Sequence, residues 1–196
     1  MPTQWNKFIF TTPRDADEYE KIYRLRCRIV CDEDGFKRRE LFPDGLEKDR
    51  YDPYSDFFAA FDDKEEAAAC VRLVHHSPVG YPIEEIFGPV IAPASLPEER
   101  TGEFSRVFVR KDCRNMAFTH AFFDAVKVWY CRRSLELGLD WTVSAVEWRL
   151  LRLLHLYGYP FEKFSESRLY AGKMRFPVRL DRHRLCEGSS EKRGPE

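Results

Sequence analysis

Three arginines and a short run of carboxylates have the spacing of groups that must meet in space. Arg72 lies within Ala69-Cys70-Val71-Arg72-Leu73-Val74 and Arg106 within Phe104-Ser105-Arg106-Val107-Phe108, each inside an apolar run that reads as a strand. Arg26 falls on the apolar face of a predicted helix. A guanidinium half-buried in such surroundings needs carboxylate partners. The polar stretch 31–54 supplies three, as Glu47-x-Asp49-x-x-Asp52. Two readings stay open: a structural ion-pair network, or a two-point clamp on a substrate carboxylate. Glu103, three residues before Arg106, is the candidate general base. Ser105 reads as a positioning hydrogen-bonder, since no histidine is placed to activate it as a nucleophile. Strand alternation sends Glu103 and Arg106 to opposite faces unless a bulge re-aims one of them.

The elements that must hold these groups can be read from periodicity and stop signals. Trp5–Phe10 reads as a strand. Thr12 as cap and Pro13 at the first helical position then open a helix to about Val30, with Tyr19, Ile22, Tyr23, Arg26, Cys27 and Val30 on one face. Residues 31–54, broken by Pro43, Gly45 and Pro53, read as a long, partly ordered loop, and a loop of that length in a compact domain is usually functional or disordered. Asp56–Phe61 and Ala67–His75 read as a strand pair. A proline-rich connection over 77–102 leads to a strand at Glu103–Val109. A helix over Ala117–Leu137 stops at Gly138, a strand follows at Trp141–Val146, and a helix over Trp148–Tyr157 stops at Gly158. Phe161–Phe164 and Arg168–Leu180 read as the final strands. The order predicts an α/β (α+β) fold, with a mixed, twisted central sheet of about seven strands flanked by helices on both faces. One domain is expected over 1–180, and the charged tail 181–196 is expected to be disordered.

Composition removes several function classes. With 32 basic and 33 acidic residues and a net charge of −1, the chain lacks the basic excess of a nucleic-acid binder. No stretch approaches the roughly 18 apolar residues of a membrane span, so stable membrane insertion is not expected. None of the six cysteines forms a C-x-x-C pair, and the His75-His76 dipeptide is weak evidence for a metal, so no metal site is expected. The cysteines read as mostly reduced thiols of a cytoplasmic protein.

Taken together, Arg26, Glu47-x-Asp49-x-x-Asp52, Arg72-Leu73, Phe87 and Glu103-Phe104-Ser105-Arg106 resemble the pattern of the acyl-homoserine-lactone (autoinducer) synthases, a branch of the GNAT acyltransferase superfamily. The resemblance covers residues 20–110. The chain departs from it at Val30, where that family carries an aromatic residue, and at Phe36, where it carries a tryptophan. In the lactone makers those two positions help to hold S-adenosylmethionine. The chain is more similar to a sister group, the acyltransferases associated with exosortase (PEP-CTERM) systems and the related N-acyl amino acid synthases. The stretches that carry this likeness are Tyr23-Arg24-Leu25-Arg26, Gly35-Phe36, Phe42-Pro43-Asp44-Gly45-Leu46-Glu47 and Tyr170-Ala171-Gly172-Lys173.

The resemblance implies an N-acyltransferase with no permanently bound cofactor. Its donor would be an acyl-phosphopantetheine thioester, on an acyl carrier protein or on coenzyme A, and its acceptor the amine of an amino acid or similar small molecule. A lactone synthase using S-adenosylmethionine and a non-catalytic acyl-binding or regulatory module are the alternatives. Arg26, Phe36, Arg72 and Phe87 would meet substrate. Phe104, Phe108, Trp141 and Val143 would line an acyl channel, or simply pack the core. The loop from Arg110 to Met116 contains no glycine, so the close backbone approach used by coenzyme A binders is not provided for. Its Arg110, Lys111 and Arg114 would dock an acidic carrier protein.

Overall fold

The fold is that of a computed structural model, which describes residues 7–187. β1 (Ile9–Thr11) leads into α1 (Ala16–Cys27). The helix begins later than expected. Asp15, not Thr12, is the cap, and its carboxylate accepts the Glu18 N–H at 3.0 Å. Beyond Cys27 the helix widens into a π turn, Arg28–Glu33. The rest of the long polar loop carries two single 3₁₀ turns, Arg39–Leu41 and Asp52–Tyr54. β2 (Ser55–Phe61) and β3 (Ala67–His75) follow. The proline-rich connection contains a helical turn, α2 (Glu84–Phe87), and a 3₁₀ turn, Glu98–Arg100, and ends at β4 (Thr101–Val109). Then come α3 (Met116–Glu136), β5 (Trp141–Val146), α4 (Trp148–Leu156) and β6 (Glu162–Lys163).

The run 168–180, read as one strand, is a hairpin of β7 (Arg168–Tyr170) and β8 (Lys173–Asp181). Ala171 (φ 46°) and Gly172 (φ 76°) lie between the strands, both in the left-handed region that a two-residue hairpin turn demands. β8 runs into α5 (Arg182–Glu187), a helix where a disordered tail was expected; residues 188–196 of that tail lie outside the described residues.

The strands make an eight-stranded mixed sheet ordered β1-β2-β3-β4-β5-β8-β6, with β7 on β8. It is mostly antiparallel; β4 and β5 run parallel. Two groups of residues pack as compact units: those up to Arg72 with Arg106–Val126, and Leu73–Ser105 with those from Lys127 on.

In the first unit, Phe57 and Phe58 point to opposite faces of β2, as alternation requires. Phe57 packs with Ile22, Leu25 and Ile29 beneath α1. Phe58 stacks on Phe122 of α3, whose Phe118 meets Phe8 and Phe10. In the second unit, Phe104 lies against Tyr130 at 4.8 Å between ring centroids, and Tyr130 shares a 2.7 Å hydrogen bond with Thr142. Gly102 is dictated by space. A Cβ there would meet the Val74 carbonyl oxygen at 2.9 Å and Leu139 at 3.1 Å.

Cys131 on α3 and Cys186 on α5 form a disulfide, with Cα atoms 5.7 Å apart. This corrects the reading of the cysteines as reduced thiols for these two. A separation of 55 residues, helix to helix, leaves no short spacing motif by which the pair could be read. Cys27, Cys31, Cys70 and Cys113 are free. In the chain-entropy account a loop of this length is worth about 4 kcal/mol. Reduction is therefore expected to lower the urea midpoint of the wild type by a corresponding amount. A Cys131→Ser/Cys186→Ser variant should start from the lower midpoint and be insensitive to reductant.

Candidate active site

The charge cluster is assembled within the first unit from α1, the polar loop, β3 and β4. Arg26 points from the apolar face of α1 onto the loop. Its Nε donates to Glu47 Oε2 at 2.6 Å and its Nη1 to Asp52 Oδ1 at 2.8 Å. Arg72 Nη1 reaches Asp49 Oδ1 at 2.6 Å and Asp52 Oδ1 at 2.5 Å. Arg106 forks onto Glu47, with Nε to Oε2 at 3.1 Å and Nη2 to Oε1 at 2.7 Å, and Nη2 also reaches Asp49 at 2.9 Å. Lys37 adds a bond to Glu47 at 3.0 Å.

The loop is shaped to present these carboxylates. Asp52 accepts the Asp49 N–H at 2.8 Å and Asp49 the Tyr51 N–H at 3.0 Å, side-chain turns that hold the acidic segment in place. The side chains of Arg26, Arg72 and Glu47 have no exposed surface. Aromatic rings close over them: Arg26 lies 5.2 Å from the Tyr23 centroid and Arg72 5.8 Å from that of Tyr51.

The electrostatics follow from this packing. Burial alone lifts a carboxyl pKa, but the charges of Arg26 and Arg106 outweigh it and hold Glu47 well below the ordinary carboxylate range. Asp49 is lowered in the same way, burial being offset by Arg72 and Arg106. Arg26 is driven the other way, above its ordinary value, because Glu47 and Asp52 overcome the burial that opposes its charge. Cys70 lies beside the cluster with its thiol on the Arg106 carbonyl at 3.6 Å. Burial pushes that thiol up to about 12, which leaves it un-ionised at neutral pH and unsuited to act as a nucleophile.

Arg106 departs from regular strand geometry. Its φ is 51°, a left-handed residue inside β4. A non-glycine residue rarely adopts this conformation, and where it persists the surroundings enforce it at a cost of about 1–3 kcal/mol. Here the enforcing contacts are the bonds to Glu47 and Asp49. Strict side-chain alternation is broken at this residue.

Glu103 belongs to the second unit. It is 2% exposed, and its Oε2 accepts the N–H of Ile83, the cap residue of α2, at 2.8 Å. The parallel register of β4 with β5 pairs Thr101–Glu103 with Trp141–Val143. One residue beyond, the Ser144 hydroxyl donates to the Phe104 carbonyl at 2.7 Å. Tyr81 donates to the Thr101 carbonyl at 2.6 Å, and its phenol is pushed up to about 12 by burial and by the nearby Glu98 and Glu103.

The other predicted residues divide by surroundings. Val143 and Phe104 are buried, and Phe108 packs on the core beneath α1. Trp141 is half-buried with the Arg179 guanidinium 5.4 Å from its ring centroid. Phe36 is half-buried after the π turn, its N–H on the Val30 carbonyl. Phe87 is the last residue of α2 and is buried. Ser105 is half-buried in β4. Of the basic loop, Arg110 pairs with Asp62 and Asp112, Arg114 pairs with Glu33, and Lys111 is exposed. Sequence reasoning missed Ile83 and Ser144. Ile83 contributes only its backbone and has no residue-type signal. Ser144, a hydroxyl inside the apolar run Trp141–Val146, was visible.

No curated protein sequence matches the chain. Among solved structures, BjaI, a CoA-dependent acyl-homoserine lactone synthase determined with SAM and isopentyl-CoA, is 22% identical, with 90% of this chain and 82% of that chain covered and a TM-score of 0.70. The AHL synthase LasI is 15% identical over 92% and 94% of the two chains, with a TM-score of 0.70. FeeM, an N-acyl amino acid synthase from uncultured soil microbes, is 14% identical over 91% and 93%, with a TM-score of 0.68. At these identities the likeness shows the fold, which is GNAT-like. Residues 21–183 match the family described as N-acyl amino acid synthase FeeM, and a match over so much of the sequence makes the chain a member of that acyltransferase family.

Proposed function

We propose that the chain is an N-acyl amino acid synthase that moves a long-chain acyl group from an acyl carrier protein thioester to the amine of an amino acid, with Glu103 as general base. The observation that carries the mechanism is the buried Glu103 carboxylate, held by the Ile83 N–H where the paired register of β4 with β5 ends. An amine bound there gives a proton to Glu103, and its lone pair attacks the thioester carbonyl carbon. Backbone N–H groups of β4 just past Glu103 stabilise the oxyanion. The C–S bond then breaks, and the thiolate leaves with the proton that Glu103 had taken, which restores the carboxylate. Ser105 orients the acceptor. The charge cluster positions β4 rather than clamping substrate, since the guanidiniums of Arg26, Arg72 and Arg106 are engaged by Glu47, Asp49 and Asp52.

The glycine-free Arg110–Met116 loop and the exposed Lys111 support a carrier-protein donor. A carrier-protein donor supports a reaction in the cytoplasm. The purified protein should be offered acyl carrier protein or coenzyme A thioesters of matched chain length, together with the twenty amino acids, and products read by mass spectrometry. N-acyl amino acids formed faster from the carrier protein are the expected result. Faster reaction from coenzyme A would reassign the donor. Lactone formed only with S-adenosylmethionine would replace the reading, as would bound lipid without turnover.

A further inference from the structure

A cavity of about 200 Å³ lies in the second unit between α2, the loop after it and the segment leading into β7. Its walls include Phe87, Val90 and Phe164, with Glu166 and Arg168 as the charged groups. Arg168 is exposed, and its guanidinium is oriented. Nη1 donates to the Ile86 carbonyl at 3.2 Å, and Cζ lies 5.8 Å from the Phe87 ring centroid. Among the described residues Arg168 makes no ion pair.

Its cross-strand neighbour makes this costly. Arg168 is directly opposite Arg175, and like charges in that relation repel. Arg175 is satisfied by Glu147 at 3.2 Å, whereas the anion for Arg168 is not supplied by the fold. Volume and charge decide what that anion is. At about 30 Å³ per water, the cavity holds several waters or the head of a small molecule, and it is smaller than the roughly 300 Å³ at which pockets for drug-sized ligands begin. A nucleotide does not fit. Glu166 on the same wall repels a polyanion, so a single carboxylate is favoured over a phosphate ester.

Phe87 ends the one-turn helix whose cap residue, Ile83, holds Glu103. At about 1.5 Å per residue, those four residues rise about 6 Å. We infer that this cavity seats the carboxylate of the acceptor amino acid, with Arg168 as its binding cation and Phe87 as the platform that orients the guanidinium. The inference rests on the N-acyl amino acid synthase reading and names the acceptor-recognition residue for it.

Arg168→Gln, Arg168→Lys and the wild type should be compared in two ways. The first is steady-state acylation of the best amino acid and of its carboxamide. The second is saturation-transfer NMR with the free amino acids, which needs no turnover. Arg168→Gln is expected to raise KM for the amino acid about 10–100-fold with kcat little changed. It should also abolish the preference for the acid over the amide, with partial rescue in Arg168→Lys. Arg168-dependent binding without turnover would support the site and sink the synthase reading. Turnover with an acid-over-amide preference unchanged in Arg168→Gln would overturn the site and leave the synthase reading standing. Neither binding nor turnover in the wild type would overturn both.

Discussion

Glu103→Gln is expected to lower kcat for acyl transfer by about 10²–10⁴-fold, the range spanned by positioned general bases, while leaving the thermal midpoint within a few degrees of wild type. The substitution tests chemistry apart from structure because of how Glu103 is held. Its carboxylate accepts the backbone N–H of Ile83 at 2.8 Å, and a glutamine amide oxygen can accept the same bond. What glutamine cannot do is take a proton from the incoming amine. Kinetics by mass spectrometry and a melt on the same samples separate the two roles. Wild-type turnover in a well-folded Gln variant would remove Glu103 from the reaction, whereas loss of both activity and fold would make it a structural carboxylate.

The second large effect is on stability. Glu47→Ala is expected to cost about 3–5 kcal/mol, as removal of one partner from a buried pair does. Glu47 has no exposed surface and accepts from Arg26, Arg106 and Lys37, so its loss leaves the fully buried Arg26 bonded to Asp52 and the left-handed Arg106 to Asp49, each with part of its charge uncompensated. The same carboxylate gives the cluster a pH dependence. Its folded-state pKa lies below the ordinary 4.5, despite burial, because of Arg26 and Arg106. The stabilisation it contributes is therefore fully present above about pH 4.5 and is lost as pH falls toward the folded-state value. Asp49, lowered by Arg72 and Arg106, acts in the same direction. Urea midpoints of the wild type should decline below that pH, and Glu47→Ala should flatten the decline. An equal slope in both proteins would place the acid-sensitive groups elsewhere.

Much of the fold could be read from residue order, because periodicity and stop residues act locally. Gly138 and Gly158 do end their helices, with φ of 70° and 74°. The meeting of Arg26, Arg72 and Arg106 with the acidic loop was foreseeable from the cost of burying an unpaired guanidinium. Three features were not. The π turn after Cys27 depends on how the chain leaves α1, not on residue type. The Ala171-Gly172 turn was hidden because the alternating charged and apolar residues on either side read as one strand through it. The hold on Glu103 comes from a backbone N–H, which every non-proline residue carries.

The charge cluster also bears on the order of folding. Its bonds close loops of 21 residues from Arg26 to Glu47 and of 59 from Glu47 to Arg106. Loop closure consumes chain entropy before any contact repays it. A guanidinium that leaves water before its carboxylates arrive is penalised by several kcal/mol. The helix, the acidic loop and both strands must therefore converge before any of these charges is desolvated. The network rewards only the complete assembly and penalises partial ones, so it acts late in folding as a proofreading step. Its weakening should be felt mainly as faster unfolding, with the rate of folding little changed.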